Sequence, residues 1–549
     1  MRKVNVCALA AGSVVAGLCC SSASLAQNVP AARNDVYFGL SRATASETLF
    51  QIRGFPTGTD TGSRWDFPFV QSVEFDNTDG FRHAHFGNLV GNSFGTTAGG
   101  GSIVLVQTNA AATPSTGTTL FQFAAGDPLL SRLGGISVSP NNTRIAFTGN
   151  DKGRVYVMDY TAPAVAGSGT GATVSNLRST DAPTLGTGST IATTWLDNNN
   201  VLALDRDGEL TRTTVNNGTL SSTVVKTLTF GHTAGNPFTQ VVYEPTVSPY
   251  VYALQGTFDT VLMTTFNELF VLDPNNNFDQ VGPTINYGTS LQTLREASFD
   301  SRGNLFVAEF GSGTITPSID YVPNAWNVGS LANDNSVNYF AAAGTITASF
   351  SGLDVGATLL DYKTPGVTVN LRDRQHVQRY FGASPLTEIR QKVQTGYNGG
   401  SWNGAGGILS SNAAAQPGFA VGYGDAADLG LVGQTFGGET VEANSVLFRL
   451  TRYGDANLDG QVNLGDFNRL AANFGASNSF WHRGDFNYDG NVNLSDFNLL
   501  AANFGLSAAG PEVTPQDWAR LGAAIPEPAG IALVGAGAVA LLPRRRRRD

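Results

Sequence analysis

The stretch Ala297-Ser-Phe-Asp-Ser-Arg-Gly-Asn-Leu-Phe-Val-Ala308 sets the architecture of the larger part of the chain. It combines a small or apolar segment, a turn of Asp, Ser, Gly and Asn, and an apolar strand. The same order recurs upstream in three clear copies and one weaker copy, at 137–147, 194–204, 245–254 and 73–86. The chain therefore contains an internal repeat of strand, turn and strand.

The spacing of this repeat indicates a fold. Between the anchors Pro140, Asp197, Pro249 and Asp300, the intervals are 57, 52 and 51 residues. A repeat of about 50 residues with several strands is what a β-propeller blade requires. We therefore predict a mainly β chain, with a β-propeller of about six blades over residues 35–350. A β-solenoid or an array of sandwiches is the competing architecture.

The segment 304–315 resembles the strand–turn–strand unit of NHL-type and gluconolactonase-like propellers. Metal-dependent lactonases of this shape use carboxylates together with Asn in the axial opening, so the resemblance implies such groups here. The candidates near predicted strand ends are Glu244, Glu296, Glu309, Asp300 and Asp259. Acids that form turns and cap blades are the interpretation we favour for them.

Two histidines, His83 and His85, alternate on a predicted strand and would point the same way, as metal ligands do. The other three histidines are scattered, and no third ligand can be named. We therefore favour polar strand histidines. The sequence has no phosphate loop and no His-Glu-x-x-His zinc motif.

Residues 352–452 change character and predict a small α+β connector. Within it, 384–396 predicts a helix with Ser384 as N-cap and Pro385 at its first position. The glycine-rich loop 397–407 carries Tyr397 and Trp402. Aromatic faces of this kind can stack on sugar rings. A loop that folds its own aromatics inward is the interpretation we favour.

Two near-identical stretches thirty residues apart dominate the C-terminal part: Gly454-Asp-Ala-Asn-Leu-Asp-Gly-Gln-Val-Asn-Leu-Gly-Asp466 and Gly484-Asp-Phe-Asn-Tyr-Asp-Gly-Asn-Val-Asn-Leu-Ser-Asp496. Counted from Asp455 and Asp485, each has oxygen-bearing side chains at positions 1, 3, 5, 9 and 12 and Gly at position 6. Ca²⁺ takes about 6–8 oxygen ligands, and a twelve-residue loop supplies them in this pattern. The pair predicts two calcium sites rather than two plain Asx-turn loops.

Each loop runs into a short amphipathic pattern that ends at Gly475 or Gly505, and no helical pattern enters either loop. Tandem loops that are followed only by an exiting helix resemble a type I dockerin, here a small α module over residues 453–505. Position 12 is Asp rather than the Glu of a typical EF-hand, which also fits this resemblance.

By position, the resemblance implies a set of calcium ligands in each loop. In loop 1 (455–466) they are the side chains of Asp455, Asn457, Asp459, Asn463 and Asp466 and the main-chain carbonyl of Gln461. In loop 2 (485–496) they are the side chains of Asp485, Asn487, Asp489, Asn493 and Asp496 and the carbonyl of Asn491.

The resemblance also implies a cohesin partner, which dockerins contact through the residues after position 9. Here these are Leu464-Gly465 and Leu494-Ser495 instead of the common Ser-Thr pairs. Ala471-Ala472 and Ala501-Ala502 replace the basic residues that are often found on dockerin helices. A cohesin-like protein partner and a calcium-rigidified spacer near the membrane are therefore both open.

Residues 1–26 have the order of a secretory signal peptide, with Arg2-Lys3, the apolar run 4–18 and Ser24-Leu-Ala26 before the expected cleavage. All three cysteines lie in this segment. The exported chain would therefore have no disulfide, no thiolate metal site and no cysteine nucleophile.

After a linker over 506–525, residues 526–548 contain Pro526-Glu-Pro528, fourteen apolar residues and five arginines. Fourteen residues are fewer than the ~20 that a stable spanning helix needs. The arginines suit a transient membrane insertion with the positive end in the cytoplasm. This order resembles the PEP-CTERM sorting tail of Gram-negative envelope proteins, which implies removal by an exosortase-type membrane protease.

Removal of both ends takes away seven of the 33 Lys and Arg and two of the 43 Asp and Glu, which leaves a net charge near −15. That sign disfavours nucleic acid and anionic lipid as partners. It is compatible with cation binding and with neutral glycans.

Two functional hypotheses follow. We favour an exported, envelope-associated, non-catalytic protein whose propeller is a binding platform and whose dockerin serves docking or spacing, with a link to polysaccharide utilisation. The alternative is a dockerin-bearing hydrolase that acts on polysaccharide or its breakdown products, as a glycosyl hydrolase or a lactonase-like propeller. Three or more convergent Asp, Glu, Asn or His side chains in the axial opening would favour the hydrolase.

Overall fold

The computed structural model describes two compact units. The described residues are 33–41, 49–53, 59–66, 70–93, 101–106, 115–116, 118–124, 133–149, 154–164, 170–181, 192–231, 238–259, 264–286, 293–310, 318–332, 337–341, 349–508 and 510–511. The first unit extends to Val369 and includes Arg379–Ala383, and the second comprises Asn370–Gln378 and the residues from Ser384 onwards. The predicted signal peptide and sorting tail lie outside the described residues. Within these ranges, no helix is long and apolar enough to cross a membrane.

The described residues of the first unit form six blades, each built on four antiparallel strands. From the inside outwards, the strands of blades 1 to 3 are Ser349–Val355, Val36–Ser41, Leu49–Arg53 and Thr59–Asp66; Val70–Phe75, Leu89–Ser93, Ser102–Val106 and Thr118–Gln122; Leu133–Val138, Arg144–Gly149, Arg154–Thr161 and Thr173–Asp181. Those of blades 4 to 6 are Ala192–Trp195, Asn200–Leu204, Glu209–Asn216 and Thr219–Thr227; Phe238–Tyr243, Val251–Asp259, Thr264–Asp273 and Asp279–Gln280; Thr293–Phe299, Leu305–Phe310, Ser318–Val322 and Val337–Ala341. Short strands Ser115–Thr116 and Ile285–Asn286 add to blades 1 and 5.

The six inner strands form a closed ring, because each packs beside the inner strands of the two neighbouring blades. Blade 1 completes this ring with strands from both ends of the body. Its inner strand, Ser349–Val355, pairs antiparallel with Val36–Ser41 in a register that places Val36 opposite Val355. The predicted mainly β fold with a propeller of about six blades is thus confirmed.

The repeat found in the sequence corresponds to one place in the blades. Pro140, Asp197, Pro249 and Asp300 each lie between the inner and the second strand, in blades 3 to 6. The carboxylate of Asp300 accepts hydrogen bonds from the main-chain N–H of Arg302 at 2.8 Å and of Asn304 at 2.9 Å. Asp residues favour such turns because their side chains satisfy main-chain donors that the strands leave unpaired.

The core of this unit lies between successive blades. Leu, Val, Ile and Phe side chains from adjacent sheets interdigitate there, and burying each of them stabilises the fold by about 1.5–3 kcal/mol. Polar bonds also cross the same boundaries. The indole N–H of Trp195 in blade 4 donates to the carbonyl of Ser137 in blade 3 at 3.2 Å. The hydroxyl of Tyr252 in blade 5 donates to the carbonyl of Ala325 at 2.7 Å.

Blade 2 departs from the repeat between its first two strands. This segment contains a 3-10 turn, Thr78–Gly80, and a short strand, Phe81–Arg82, which pairs with Leu359–Leu360. His83 follows with a φ of +46°, in the left-handed region, which ends the strand. The prediction that His83 and His85 alternate on one strand is therefore wrong.

The described residues of the second unit contain five α-helices: α1 Leu386–Tyr397, α2 Ser411–Ala415, α3 Ala426–Leu429, α4 Leu464–Ala472 and α5 Leu494–Asn503. Its main strands, Phe419–Asp425 and Ser445–Arg452, pair antiparallel. The remaining short elements between Val328 and Pro511 are the 3-10 turns Val328–Ser330, Asn398–Gly400 and Trp481–Arg483 and the strands Val369–Asn370, His376–Arg379, Ile408–Leu409, Thr435–Phe436, Glu439–Thr440, Leu506–Ser507 and Gly510–Pro511.

Helix α1 begins one residue later than the sequence predicts. Pro385 occupies the N-cap, and the hydroxyl of Ser384 donates to the Asp425 carboxylate at 3.2 Å instead of capping the helix. The helix ends at Tyr397, where Asn398 adopts a left-handed backbone. The helix lies where the sequence predicts it, with both its start and its end one residue later.

Candidate calcium loops and axial cavity

The two loops of the second unit begin differently and end alike. Loop 1 follows the strand Ser445–Arg452, whereas loop 2 follows the 3-10 turn Trp481–Arg483. Loop 1 leads directly into α4 and loop 2 into α5. Glycine at position 6 has a φ of +89° in loop 1 and +84° in loop 2, which produces the sharp turn. The loop-then-helix order has the form that the sequence predicts.

Position 9 and position 12 of each loop form a capping box at the start of the exiting helix. In loop 1 the Asn463 side chain accepts from the N–H of Gly465 at 2.8 Å, and the Asp466 carboxylate accepts from the N–H of Asn463 at 2.8 Å. The other oxygen of Asp466 accepts from two N–H groups at the start of the loop. Asn493 and Asp496 repeat this arrangement in loop 2. The capping box therefore holds the position-12 carboxylate against the loop.

The aspartate at position 1 of each loop has one carboxylate oxygen without a protein partner. Oδ2 of Asp455 accepts from the N–H of Gly460 at 2.9 Å and from the hydroxyl of Thr451, and Oδ2 of Asp485 accepts from the N–H of Gly490 at 3.0 Å. Oδ1 of both aspartates is buried and accepts no hydrogen bond. Such an oxygen is costly unless a ligand compensates it. A hard cation bound by oxygen donors fits this position.

The carboxylates of the loops also have displaced pKa values. Burial raises the pKa of Asp455 to about 6 and that of Asp485 to about 7. Burial, followed by the charge of Asp455, raises the pKa of Asp466 to about 8, and burial raises that of Asp496. The raised pKa values show that the protein supplies too little positive charge and too few hydrogen bonds to stabilise these carboxylates in their ionised form. A divalent cation would supply the missing positive charge.

In both loops, the side chains at positions 3 and 5 are hydrogen-bonded to each other. In loop 1 the amide of Asn457 donates to the Asp459 carboxylate at 2.9 Å, and Asn487 and Asp489 do the same in loop 2 at 3.0 Å. In the described part of the chain, no group of three or more His, Cys, Asp or Glu is placed to hold a metal ion alone. Calcium coordination here would therefore recruit Asn amides and main-chain carbonyls as well, as the loop pattern implies.

An aromatic cluster underlies loop 2. The hydroxyl of Tyr488, at position 4, donates to the carbonyl of Val421 at 2.9 Å. Its ring lies 5.1 Å from that of Tyr397, 5.7 Å from that of Trp402 and 5.4 Å from that of Trp481, measured between centroids. Trp402 is only 3 % exposed. The glycine-rich loop 397–407 thus folds its tryptophan inward, in line with the interpretation that we favoured.

A second candidate site is an axial cavity between the inner strands of the propeller. Its volume is about 40 Å³, which is enough room for water-sized molecules. The charged and titratable side chains that line it are Glu74, Arg82, His83, Glu244, Glu296 and Asp354. Its four acids come from blades 1, 2, 5 and 6, so the ring closure brings them together.

His83 is held between two of these acids. Its Nδ1 is 2.9 Å from Asp354 and its Nε2 is 2.8 Å from Glu244. Burial lowers the pKa of His83, but the two carboxylates outweigh it and raise the pKa well above the ordinary value. Arg82 donates to both oxygens of Glu244, at 2.7 and 3.0 Å. Against the effect of burial, Arg82 and His83 lower the pKa of Glu244 to about 2.

The other acids behave in the opposite way. Burial raises the pKa of Glu74 to about 8 and that of Glu296 well above its ordinary value. Glu296 accepts from the Ser72 hydroxyl at 2.5 Å and from the Leu353 N–H at 2.7 Å. At neutral pH, the carboxyl of Glu74 is therefore protonated, whereas that of Glu244 in the same cavity is ionised. Carboxyls with pKa values moved apart in this way suit acid–base chemistry.

The structure brings together only part of the acidic set predicted from the sequence. Glu244 and Glu296 line the cavity, whereas Asp300 forms the turn of blade 6. The side chains of Glu309 and Asp259 lie outside the described residues. His85 bonds to Thr358 at 2.5 Å, and His83 alone of this pair lines the cavity. The sequence analysis did not identify Glu74, Asp354 and Arg82 as cavity residues. Glu74 and Asp354 could have been found, because each is an acid between two apolar residues near the end of a strand.

Comparison with known proteins gives one family match. Residues 453–505 match the family model of the dockerin type I domain. Dockerin type I domains generally bind calcium and dock onto cohesin partners. A search of curated proteins finds no match.

Several solved structures are similar to the chain at low sequence identity and with TM-scores below 0.5. A nidogen/laminin complex chain is 13 % identical with a TM-score of 0.37, covering 59 % of this chain and 98 % of that one. A protein from Lactobacillus plantarum is 12 % identical with a TM-score of 0.35, at coverages of 58 % and 99 %. A putative 6-phosphogluconolactonase from Bacteroides uniformis is 11 % identical with a TM-score of 0.34, at 57 % and 84 %. The strand order described above defines the propeller independently of these likenesses.

Proposed function

We propose that this chain is an exported calcium-binding protein whose dockerin attaches a propeller body to a partner at the cell envelope. The observation that carries the proposal is the buried, unpartnered Oδ1 of Asp455 and Asp485, the first position of each loop. A dockerin match over the same residues supports it. Each ion would complete the charge balance of a loop and fix the start of its exiting helix.

The proposed partner surface lies on α4 and α5. After position 9, Leu494 is 62 % exposed, Ser495 next to it in sequence is exposed, and so is Gly465 at the corresponding place on α4. Ala471 and Ala472 are exposed on α4. An apolar, uncharged face of this kind suits a protein partner, which we propose to be cohesin-like. Because the usual Ser-Thr and basic residues are absent, we expect its specificity to differ from that of common dockerins.

The envelope location rests on the two ends of the sequence. The signal-like residues 1–26 support export, and the sorting tail 526–548 supports processing by an exosortase-type membrane protease. A propeller on such a protein is a platform for a ligand, with a glycan as the proposed class. A link to polysaccharide utilisation is part of this proposal.

Isothermal calorimetry on the processed chain (residues 27–525) tests the calcium proposal. We expect two sites in the wild type and none in the double variant Asp455→Asn, Asp485→Asn, because these changes remove the unpaired oxygen's charge from both loops. Asp428→Asn is the matched control, since Asp428 belongs to the same unit and pairs with Arg483 at 2.7 Å. A wild-type chain that releases or absorbs no heat on calcium addition would refute the proposal.

A pull-down from envelope extract tests the docking part. We expect the wild-type chain to capture a protein in Ca²⁺ that is absent in EGTA, and Leu494→Asp to abolish capture while both calcium sites persist. Capture that is equal in EGTA, or unaffected by Leu494→Asp, would reject the proposed face.

A hydrolase is the second candidate, because the axial cavity meets the criterion set by the sequence: Glu74, His83, Glu244, Glu296 and Asp354 converge there. Glu74 would donate a proton, and the ionised Glu244 would supply negative charge in the same cavity. If the chain hydrolyses oligosaccharides or lactones, Glu74→Gln should lower kcat by a factor of about 10²–10⁴. Asp207→Asn, an exposed turn residue of blade 4, should leave kcat unchanged. The candidate fails if no such substrate is cleaved.

A further inference from the structure

An arginine lies against the sharp turn of each calcium loop. Both arginines come from outside residues 453–505: Arg449 from the strand Ser445–Arg452, and Arg390 from α1. They are unrelated in sequence, although the two loops are copies of each other. The same contact has thus arisen from two different elements.

At loop 1, Arg449 bonds to the main chain. Its Nη1 donates to the carbonyl of Leu458, at position 4, over 2.8 Å. Its guanidinium also covers Gly460, at position 6, so closely that a Cβ there would lie 2.6 Å from Nη2. The side chain therefore occupies the space above the turn and restrains its main chain.

At loop 2, Arg390 takes the corresponding place. A Cβ on Gly490 would overlap its Nη1, so the guanidinium covers position 6 here as well. The same Nη1 donates to the carbonyl of Ser479 at 3.3 Å. Ser479 in turn donates its N–H to the carbonyl of Gly490 at 2.9 Å. Arg390 thus holds the segment that pairs with the turn of loop 2.

Two physical effects of these arginines oppose each other. A positive charge near a cation site lowers calcium affinity by Coulomb repulsion, which solvent and salt weaken at a partly exposed side chain. A hydrogen bond that fixes the loop main chain raises affinity, because it leaves less ordering for the ion to accomplish. Groups that orient metal ligands typically contribute a factor of about 10–100 in affinity. Positioning should therefore outweigh repulsion.

We propose that Arg449 and Arg390 are positioning residues of calcium loops 1 and 2. Each restrains the main chain around position 6, whose N–H donates to Oδ2 of the position-1 aspartate and leaves Oδ1 available for an ion. This proposal rests on the calcium binding proposed above. In loop 1 the N–H of Gly460 donates to Oδ2 of Asp455 at 2.9 Å, and in loop 2 the N–H of Gly490 donates to Oδ2 of Asp485 at 3.0 Å. The connector (352–452) would therefore contribute to calcium binding through Arg390 and Arg449.

Calorimetry on the processed chain (27–525), with one loop silenced at a time, tests the proposal. In the Asp485→Asn background, which reports loop 1, Arg449→Gln should weaken calcium binding about tenfold and Arg390→Gln by less than about twofold. In the Asp455→Asn background, which reports loop 2, Arg390→Gln should weaken calcium binding about tenfold and Arg449→Gln by less than about twofold. A merely structural loss would weaken both loops together, since they share one core.

Two further variants separate positioning from charge. Arg449→Lys keeps the charge and loses the planar fork, so it should also weaken loop 1, whereas a purely electrostatic role predicts wild-type affinity for Lys. Arg483→Gln, which removes an exposed guanidinium of the same unit, should leave both loops unchanged. Tighter or unchanged binding in Arg449→Gln overturns the proposal while two wild-type sites still uphold calcium binding. Absence of both wild-type sites refutes the proposed function as well.

Discussion

The indole N–H of Trp481 donates a hydrogen bond to the main-chain carbonyl of Asp455 at 2.7 Å. Trp481 is fully buried and lies just before loop 2, whereas Asp455 is the first predicted ligand of loop 1. The ring of Trp481 also stacks on Tyr488, at position 4 of loop 2. The side chain of Trp481 therefore connects the two loops, and we expect the loops to unfold together.

Trp481→Phe should destabilise the second unit. The change leaves the buried Asp455 carbonyl without its donor and removes part of a fully buried ring, which we expect to cost about 1–3 kcal/mol. Chemical denaturation of the processed chain (27–525), followed through the transition that calcium shifts, measures the effect. Trp326→Phe, in the first unit, is the control and should leave that transition in place. An unchanged midpoint for Trp481→Phe would contradict the role of this bond.

Gly460→Ala and Gly475→Ala should differ although their backbones are alike. Gly460 has a φ of +89° and Gly475 of +85°, so a Cβ strains both by about 1 kcal/mol. Only at Gly460 does that Cβ meet Arg449, whereas nothing lies within 4 Å of it at Gly475. We expect loop 1 to lose about tenfold or more in calcium affinity in the first variant and less than about twofold in the second. Equal losses in calorimetry would show that backbone strain alone matters.

The propeller should become less stable as the pH rises above neutrality. The pKa of Glu74 is raised from 4.5 to about 8, so the folded state binds a proton more tightly than the unfolded state. Its contribution is complete below about pH 4.5 and is lost as the pH rises through about 8, at up to about 1.4 kcal/mol per pH unit. The raised pKa of His83 acts in the same direction.

Thermal melting between pH 6 and pH 9.5 measures this dependence. Glu74→Gln, which stays neutral, should flatten the slope, and Asp207→Asn should retain it. A wild-type melting temperature that rises over this interval would contradict the assignment.

His83→Gln should strongly destabilise the propeller. The variant leaves Glu244 and Asp354 buried with less positive charge between them, and breaking a buried ion pair from one side costs about 3–5 kcal/mol. His85→Gln is the matched control two residues away, because His85 bonds to the neutral hydroxyl of Thr358. Melting at pH 6 compares the two variants. Equal shifts for both would mean that the charge of His83 contributes little.

The sequence predicted those parts of the molecule in which local patterns recur. Asp197 and Asp300 form turns between strands, so the repeat marked blades 3 to 6. Blade 1 has no such mark, because its strands pair across about 320 residues. The order of loop and exiting helix was predicted residue by residue, because loop geometry dictates residue spacing, whereas the calcium ligands stay a prediction. Arg449 and Arg390 were not predicted, since no pattern within the loops indicates which distant side chain covers them.

The axial cavity shows the same limit. Glu244 and Glu296 were candidates because they lie near strand ends, yet Asp300 has the same local setting and only forms a turn. Which acid faces the axis depends on strand register and ring closure, and both are non-local. His83 was misplaced because its left-handed backbone leaves no trace in the alternation of side chains.

The pairing of Val36–Ser41 with Ser349–Val355 also constrains how the protein is made. A chain that crosses a membrane from its N-terminus delivers three strands of blade 1 at the outset and the fourth only after the rest of the body has emerged. Until then the outer strands of that blade have no inner neighbour, and their free edge is open to pairing with other chains. If the chain is exported as we propose, slow translocation would leave this edge exposed for longer and favour aggregation through the first blade.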